Sequence, residues 1–168
     1  MNINKLFPKQ SELDAYIGKS KGINMSEYKT ERVLALLVEW GEFLNCVPFL
    51  FKYWKTNQNM KRDEALEEYV DGLHFLLSIG NDHNLTDYKY TELPNHIDMK
   101  LIVFGITNII SRIGTSLISK GKIDKNDYDR LLDHFIYFGK QLGFEENEII
   151  THYELKHAEN YKRQQLNY

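Results

Sequence analysis

Cysteine is almost missing from this sequence: Cys46 is the one example in 168 residues. A single thiol closes no intramolecular disulfide and builds no cysteine-rich zinc module. A reducing compartment is the simplest setting, so a cytoplasmic location is expected. Proline is scarce as well, standing at 8, 48 and 94, which leaves long stretches free to form helix. No long apolar run is present. The longest, Leu101 to Ile110, spans about ten residues against the ~20 needed to cross a bilayer, so no membrane partner is expected. At the N-terminus Lys5, Pro8, Lys9 and Asp14 interrupt any signal-peptide core. Positive charge is not in excess either. The formal net charge is −3, so no overall field recruits nucleic acid. With 42% hydrophobic and 27% charged residues, the chain reads as one domain over 1–168, able to bury roughly two thirds of its unfolded surface.

Apolar residues recur at helical spacing through most of that length, and no run alternates strictly enough for a strand. The pattern predicts an all-α bundle of about six helices. The first covers residues 2–18 and is followed by a Lys/Gly-rich loop at 18–22. The second runs from about Glu27 to Cys46 with Ser26 as N-cap, and Pro48 ends it. An aromatic connector (Phe49, Phe51, Tyr53, Trp54) leads to a third helix over about 60–80. A polar loop over 81–94 precedes helices near 96–119, 124–141 and 145–163, with Gly121 and Gly143 near the junctions.

Two of these helices carry acid where apolar residues are expected. In Glu31–Asn45 the sequence is apolar almost all round, the mark of a helix surrounded by protein, yet Glu39 and Glu42 interrupt it three residues apart and so share a face. Ala35, Leu36, Phe43 and Cys46 continue that face, which predicts that it points to the core. The third helix repeats the device with Glu68 and Asp71, again three apart, with Phe75 on the same side. Four anions in one dry space repel, and burying even one unpartnered carboxylate costs several kcal/mol. Cationic side chains, protonation or a divalent cation are the remedies. The two acidic faces supply no Lys or Arg. Oxygen ligands without paired His or Cys suit Mg²⁺, with Mn²⁺ as a substitute, better than zinc. Mg²⁺ is usually completed by substrate phosphates, which points to phosphate-ester or pyrophosphate chemistry. A solvated acidic face is the competing reading for each pair. Near the C-terminus Lys156, Asn160 and Arg163 are spaced four and three apart, one helical face with two cations and an amide. It fits phosphate oxygens, or is simply a solvated basic end.

Glu39-Trp-Gly-Glu42 followed by Glu68-Tyr-Val-Asp71 resembles the Glu-x-x-Glu…Glu-x-x-Asp signature of all-α nucleoside triphosphate pyrophosphatases. The phrases Leu36–Asn45, Phe51-Lys-Tyr-Trp54, Glu67–Gly80 and Tyr153–Tyr168 resemble, more narrowly, the dimeric all-α dUTPase family of Gram-positive bacteria and their phages. The resemblance runs from Gln10 to the last residue and is weakest over 81–150. It implies a homodimer that hydrolyses dUTP, and dUDP as well, to dUMP with Mg²⁺. Carried over, Glu39, Glu42, Glu68 and Asp71 bind metal, and Glu39 in preference to Glu42 orients the attacking water as the catalytic acid-base residue. The family's attack falls on the β-phosphorus, and nothing in the residues themselves separates α from β attack. Lys156, Asn160 and Arg163 become substrate-binding, with Asn160 near the base or sugar and Tyr168 near the deoxyribose. Trp54 and Gln10 become candidates for the uracil pocket, one by stacking and one by its amide. Lys52 is a candidate phosphate contact. His74, one turn beyond Asp71, is a candidate substrate contact or supporting donor, and Asn45 a candidate support for a ligand or water.

Each has a plainer reading: Trp54 and His74 as core, Lys52 as a solvated lysine, Asn45 as a helix end. Two departures from the family touch the pocket wall. Cys46 stands where an acid usually follows Asn45, and the Asn45–Trp54 link is about one residue longer. Cys46 itself reads as a small packed residue without an activating partner. Three alternatives to a dUTPase stay open: a related all-α pyrophosphatase acting on dCTP or damaged nucleotides, a phage helical protein that binds a repressor, and a purely structural bundle.

Overall fold

Helices α2 (Lys29–Asn45) and α3 (Arg62–Asp82) are the pair against which the other elements pack. They run antiparallel, because both ends are tied. Lys61 N–H donates to Cys46 C=O at 3.2 Å where α2 stops and α3 starts, and Arg32 near the start of α2 pairs with Asp82 at the end of α3. A computed structural model describes residues 3–166. Around the central pair lie α1 (Leu6–Lys21), α4 (Met99–Lys120), α5 (Lys125–Gln141) and α6 (Glu146–Gln165), with short 3-10 turns at Met25–Glu27 and Pro48–Leu50. Six helices and no strand among the described residues is the all-α bundle expected.

The boundaries differ from the sequence reading where local chemistry competes with pattern. The first helix continues through Gly18 to Lys21, because Gly18 is buried against Met25. Gly22, with φ 66°, makes the left-handed cap. Ser26 does not cap α2. Asn24 instead accepts a hydrogen bond from Ser26 N–H and sets the 3-10 turn, and α2 starts three residues later at Lys29. Pro48 opens the second 3-10 turn after α2 has ended at Asn45.

One expectation about α2 is overturned. Leu36, Trp40 and Phe43 face the core, but Leu34 and Val38 are 58% and 57% exposed. The helix is therefore not surrounded by protein. Its outward face adjoins α4, where Leu101, Phe104 and Ile118 are exposed at helical spacing along one stripe, while Ile102, Ile106, Ile109, Ile110 and Ile113 are buried. By length and composition α4 could cross a membrane, unlike its ten-residue apolar run read alone, although its isoleucine stripe is packed inside the bundle.

The core on the other side of α2 is aromatic. Tyr69 stacks on Phe135 with centroids 4.3 Å apart, and Trp40 and Phe43 meet Phe138 edge-on. This packing sets the rotation of α2 and α3, and so brings Glu39, Glu42, Glu68 and Asp71 to the rim of the helix pair. Gly80 is needed for a close approach: a Cβ there would sit 2.2 Å from Tyr128 Oη and 2.7 Å from Phe7. Gly80→Ala should therefore destabilise the protein by about 1–3 kcal/mol through overpacking. Urea unfolding reads this directly. A gain of about 1 kcal/mol, as at an open helix position, is incompatible with the packing described.

Candidate active site

Because the register of the aromatic core leaves them no other direction, the acids of α2 and α3 meet at the helix rim. Carboxylate oxygens of Glu39, Glu42 and Glu68 all lie within 4.8 Å of one another. Glu39 and Glu68 are half-buried and Glu42 is exposed, so the acidic faces lie at the edge of the core and do not point into it, as had been expected. Asp71 stands apart from the trio. Its Oδ2 accepts from Lys156 Nζ of α6 at 2.6 Å, a half-buried ion pair. The acidic faces of α2 and α3 carry no cation of their own, and α6 supplies one.

The electrostatics record the crowding. Burial first, then Asp71, Glu42 and Glu68, push the Glu39 carboxyl from 4.5 up to about 7. Burial followed by Asp71 and Glu42 raises Glu68, and burial raises Asp71 against the pull of Lys156. Three converging oxygens with a proton-avid member are a donor set suited to a hard divalent cation.

Beside the trio is a cavity of about 230 Å³, lined by Glu39 and Asp71 on one side, Lys156, Asn160 and Arg163 of α6 on another, and Gln10, His74 and Ser78 at its base. Leu13, Ile17 and Phe75 add apolar wall. Glu39 thus belongs to both the acidic trio and the cavity. Lys156 and Arg163 also line an adjoining depression of about 370 Å³ with Glu67, His152 and Glu159, so the two cations stand between two open spaces.

Of the residues singled out from sequence, the four acids, Gln10, His74, Lys156, Asn160 and Arg163 are brought together. Three are not. Trp54 is 63% exposed and packs edge-on against Tyr53 at 5.1 Å. The connector holding Pro48 carries its aromatics outward, and Trp54 is not among the residues that line the cavity. Lys52 donates to the Asn45 carbonyl at 2.9 Å, where it satisfies the C-terminal end of α2. Asn45 is exposed there and lines neither space, so it is a helix-end residue. Tyr168 lies outside the described residues. Cys46 is buried and free, its thiol pushed up by burial and by Glu68 and Glu64, in keeping with a packed residue.

Gln10 is present but differs from expectation, since its amide is fully engaged inside the protein, 3% exposed. Its partners include Asp14, Ser78 and Tyr153, which sequence reading missed. Gln10 with Asp14, and His74 with Ser78, are each i,i+4 polar pairs on otherwise apolar helix faces, and that spacing was the available signal.

An all-helical bundle with an acidic trio beside a cation-lined cavity defines a class of helical proteins equipped to handle a polyanion. The dUTPase family model (dUTPase_2) matches residues 2–168, and the chain belongs to the dUTPase family, hydrolases that act on a nucleoside triphosphate. Among curated proteins no match was found.

A carboxylate whose proton affinity rises on folding binds its proton more tightly when folded, so its contribution to stability is present below the unfolded value and lost as pH rises through the folded one. For Glu39 that window runs from 4.5 to about 7. Added Mg²⁺ should therefore raise the thermal midpoint of the chelator-treated protein more at about pH 8 than at about pH 5, where a proton already occupies Glu39. Equal shifts at both values would contradict the convergence of the three acids.

Proposed function

We propose that the chain is a dUTP diphosphatase that hydrolyses dUTP, and dUDP as well, releasing dUMP, with Mg²⁺ as its cation and Mn²⁺ able to replace it. The observation that carries this is the position of Glu39, which is shared between the three converging carboxylates and the cavity that holds Lys156 and Arg163. Glu39, Glu42 and Glu68 would hold the cation, with Asp71 adjoining. When bound, the cation offsets phosphate charge and polarises the phosphoryl group.

The chain's own residues do the rest. Arg163 offers a planar fork for phosphate oxygens. Lys156 offers a point charge, which it now shares with Asp71. Glu39 orients the attacking water and takes its proton, being the trio member that reaches the cavity. The neutral end of the cavity, with His74, Asn160, Leu13, Ile17 and Phe75, receives the nucleoside.

The active form is proposed to be a homodimer. Phe104 is 72% exposed, and Leu34, Leu37 and Ile118 line an apolar groove of about 280 Å³ between α2 and α4. An apolar surface of this kind on a water-soluble bundle supports association, and α2 connects it to the acids on the same helix.

Phosphate and pyrophosphate release should be measured on dUTP, dCTP, dTTP, dATP and dGTP with Mg²⁺ and with chelator. Turnover is expected with dUTP and Mg²⁺, and Glu39→Gln should lower kcat by about 10²-fold or more. Equal rates on all the nucleotides would end the dUTP assignment, and normal turnover in the variant would remove Glu39 from the chemistry. In light scattering coupled to gel filtration the wild-type protein should elute with twice the chain mass, and Phe104→Glu with one. A wild-type monomer would refute the dimer.

A further inference from the structure

The base of the cavity is a closed hydrogen-bond circuit whose proton positions follow from which atoms can only accept. Asp14 Oδ1 accepts from Gln10 Nε2 at 3.0 Å and from Ser78 Oγ at 3.0 Å. Ser78 has one hydroxyl proton and gives it to Asp14, so toward Gln10 Nε2, 3.1 Å away, its oxygen accepts. Both amide protons of Gln10 are thereby used, and turning the amide over would set its oxygen against the Asp14 carboxylate, which only accepts. Its Oε1 therefore faces the other way, where Tyr153 OH donates at 3.0 Å and His74 Nδ1 lies at 2.7 Å. An amide oxygen only accepts, so His74 Nδ1 carries the proton.

His74 is 5% exposed and stacks on Tyr153 with centroids 4.3 Å apart and planes 17° apart, which fixes the ring. Burial, then His157 and Lys156, hold it down to about 3. A neutral ring with its one proton on Nδ1 has a lone pair on Nε2. That atom is buried and has no partner among the described residues, while the ring lines the cavity.

We propose that Asp14 is a positioning residue: by orienting the Gln10 amide it holds His74 in the Nδ1–H tautomer and leaves Nε2 as a dedicated acceptor for a donor on the bound nucleoside. This rests on the reading above that the cavity receives a nucleoside. Two groups of deoxyuridine supply such a donor, the imide N3–H of the base and the 3′-hydroxyl of the sugar. Cytosine presents a lone pair at the equivalent ring nitrogen, so an acceptor there would oppose it.

Asp14→Leu removes the obligatory acceptor with little change of size. Ser78 O–H can then donate to the oxygen of a turned Gln10 amide, whose nitrogen faces His74 Nδ1 and drives the ring proton to Nε2, so the ring is no longer held in one tautomer. Two measurements on the full chain test this. Nitrogen-15 NMR of labelled imidazoles in the ligand-free protein should find the His74 proton on Nδ1 in the wild type and shared with or moved to Nε2 in Asp14→Leu. In kinetics, the wild type should lose about 10- to 100-fold in kcat/KM on the analogue that lacks the donor. Loss on N3-methyl-dUTP assigns the donor to the base, and loss on 3′-deoxy-dUTP assigns it to the sugar. Asp14→Leu should weaken that discrimination, and for the base case also narrow the preference for dUTP over dCTP.

A wild-type proton on Nε2, a tautomer unchanged by Asp14→Leu, or full activity on both analogues overturns the proposal. If Asp14→Leu fails to fold, the wild-type tautomer and the two analogues still decide it. Failure of the wild type to hydrolyse dUTP would sink the proposed function alone, because the tautomer is read without substrate.

Discussion

Mutual repulsion among Glu39, Glu42 and Glu68 is the constraint to which the rest of the bundle answers. Their oxygens lie within 4.8 Å of one another, a crowding that adds to burial in raising Glu39 and Glu68, and isolated helices carrying them would separate or rotate. They stay together because the helices beneath them have no freedom to move. At one end the backbone bond from Lys61 to Cys46 closes the connector, and at the other the buried Arg32 pairs with Asp82. Between the two ties the Trp40, Phe43, Tyr69, Phe135 and Phe138 rings interlock. The apolar packing on one side of α2 and α3 offsets the electrostatic tension on the other. Because that tension is greatest when all three groups are ionised, a cation bound there would stabilise the fold.

Asp71 belongs to the acidic crowd and to a second element at once. Its ion pair with Lys156 offsets part of its charge and ties α6 to α3, while after burial Asp71 still heads the charges that raise Glu39 and Glu68. Replacing either partner alone would strand a half-buried charge. In the proposed diphosphatase, a phosphate chain entering the cavity would compete with Asp71 for Lys156, while a cation held by the trio would compete with Lys156 for Asp71. Under the proposed function, substrate and metal would each relieve the charge that the other leaves, a reason for them to bind with positive coupling.

The parts of this architecture that depend on period were legible in the sequence. Apolar residues at helical spacing marked six helices, and the repeated acidic pairs marked their meeting point, because acid inside apolar helices has few explanations. What depends on rotation about a helix axis was less legible. Leu34 and Val38 look like core in a pattern that counts apolar residues, yet Leu36, Trp40 and Phe43 occupy the inner face and leave them outside. Trp54 and Lys52 sit in a connector with no period, so nothing local reveals that one ring faces solvent and that the lysine closes the end of α2. Asn24 draws Ser26 into a 3-10 turn because its side chain reaches two residues on to Ser26 N–H, and α2 then starts at Lys29 without a side-chain cap, an outcome that composition alone does not resolve. The Asp14–Gln10–His74 circuit joins α1 to α3 across 64 residues of sequence. Gln10 and His74 were singled out in the sequence, but Asp14 and the bonds that join the members emerge only when the fold brings them together.

Under the proposed function, the two ends of the cavity solve opposite problems. At the phosphate end the charges are partly exposed, and that exposure lowers the cost of exchanging protons, lysine and cation. At the nucleoside end Gln10, Ser78 and Tyr153 are hydrogen-bonded within the circuit, while the buried His74 Nε2 has no partner among the described residues. There a charged histidine would be costly, and a freely turning amide would present donor and acceptor alike, which discriminates nothing. A closed circuit removes that ambiguity, because a single carboxylate that can only accept determines the direction of each hydrogen bond up to His74 Nε2. Selectivity between bases that differ in one proton requires a site that cannot rearrange its own, and burial of Gln10 and His74 behind Asp14 is a physical means of preventing it.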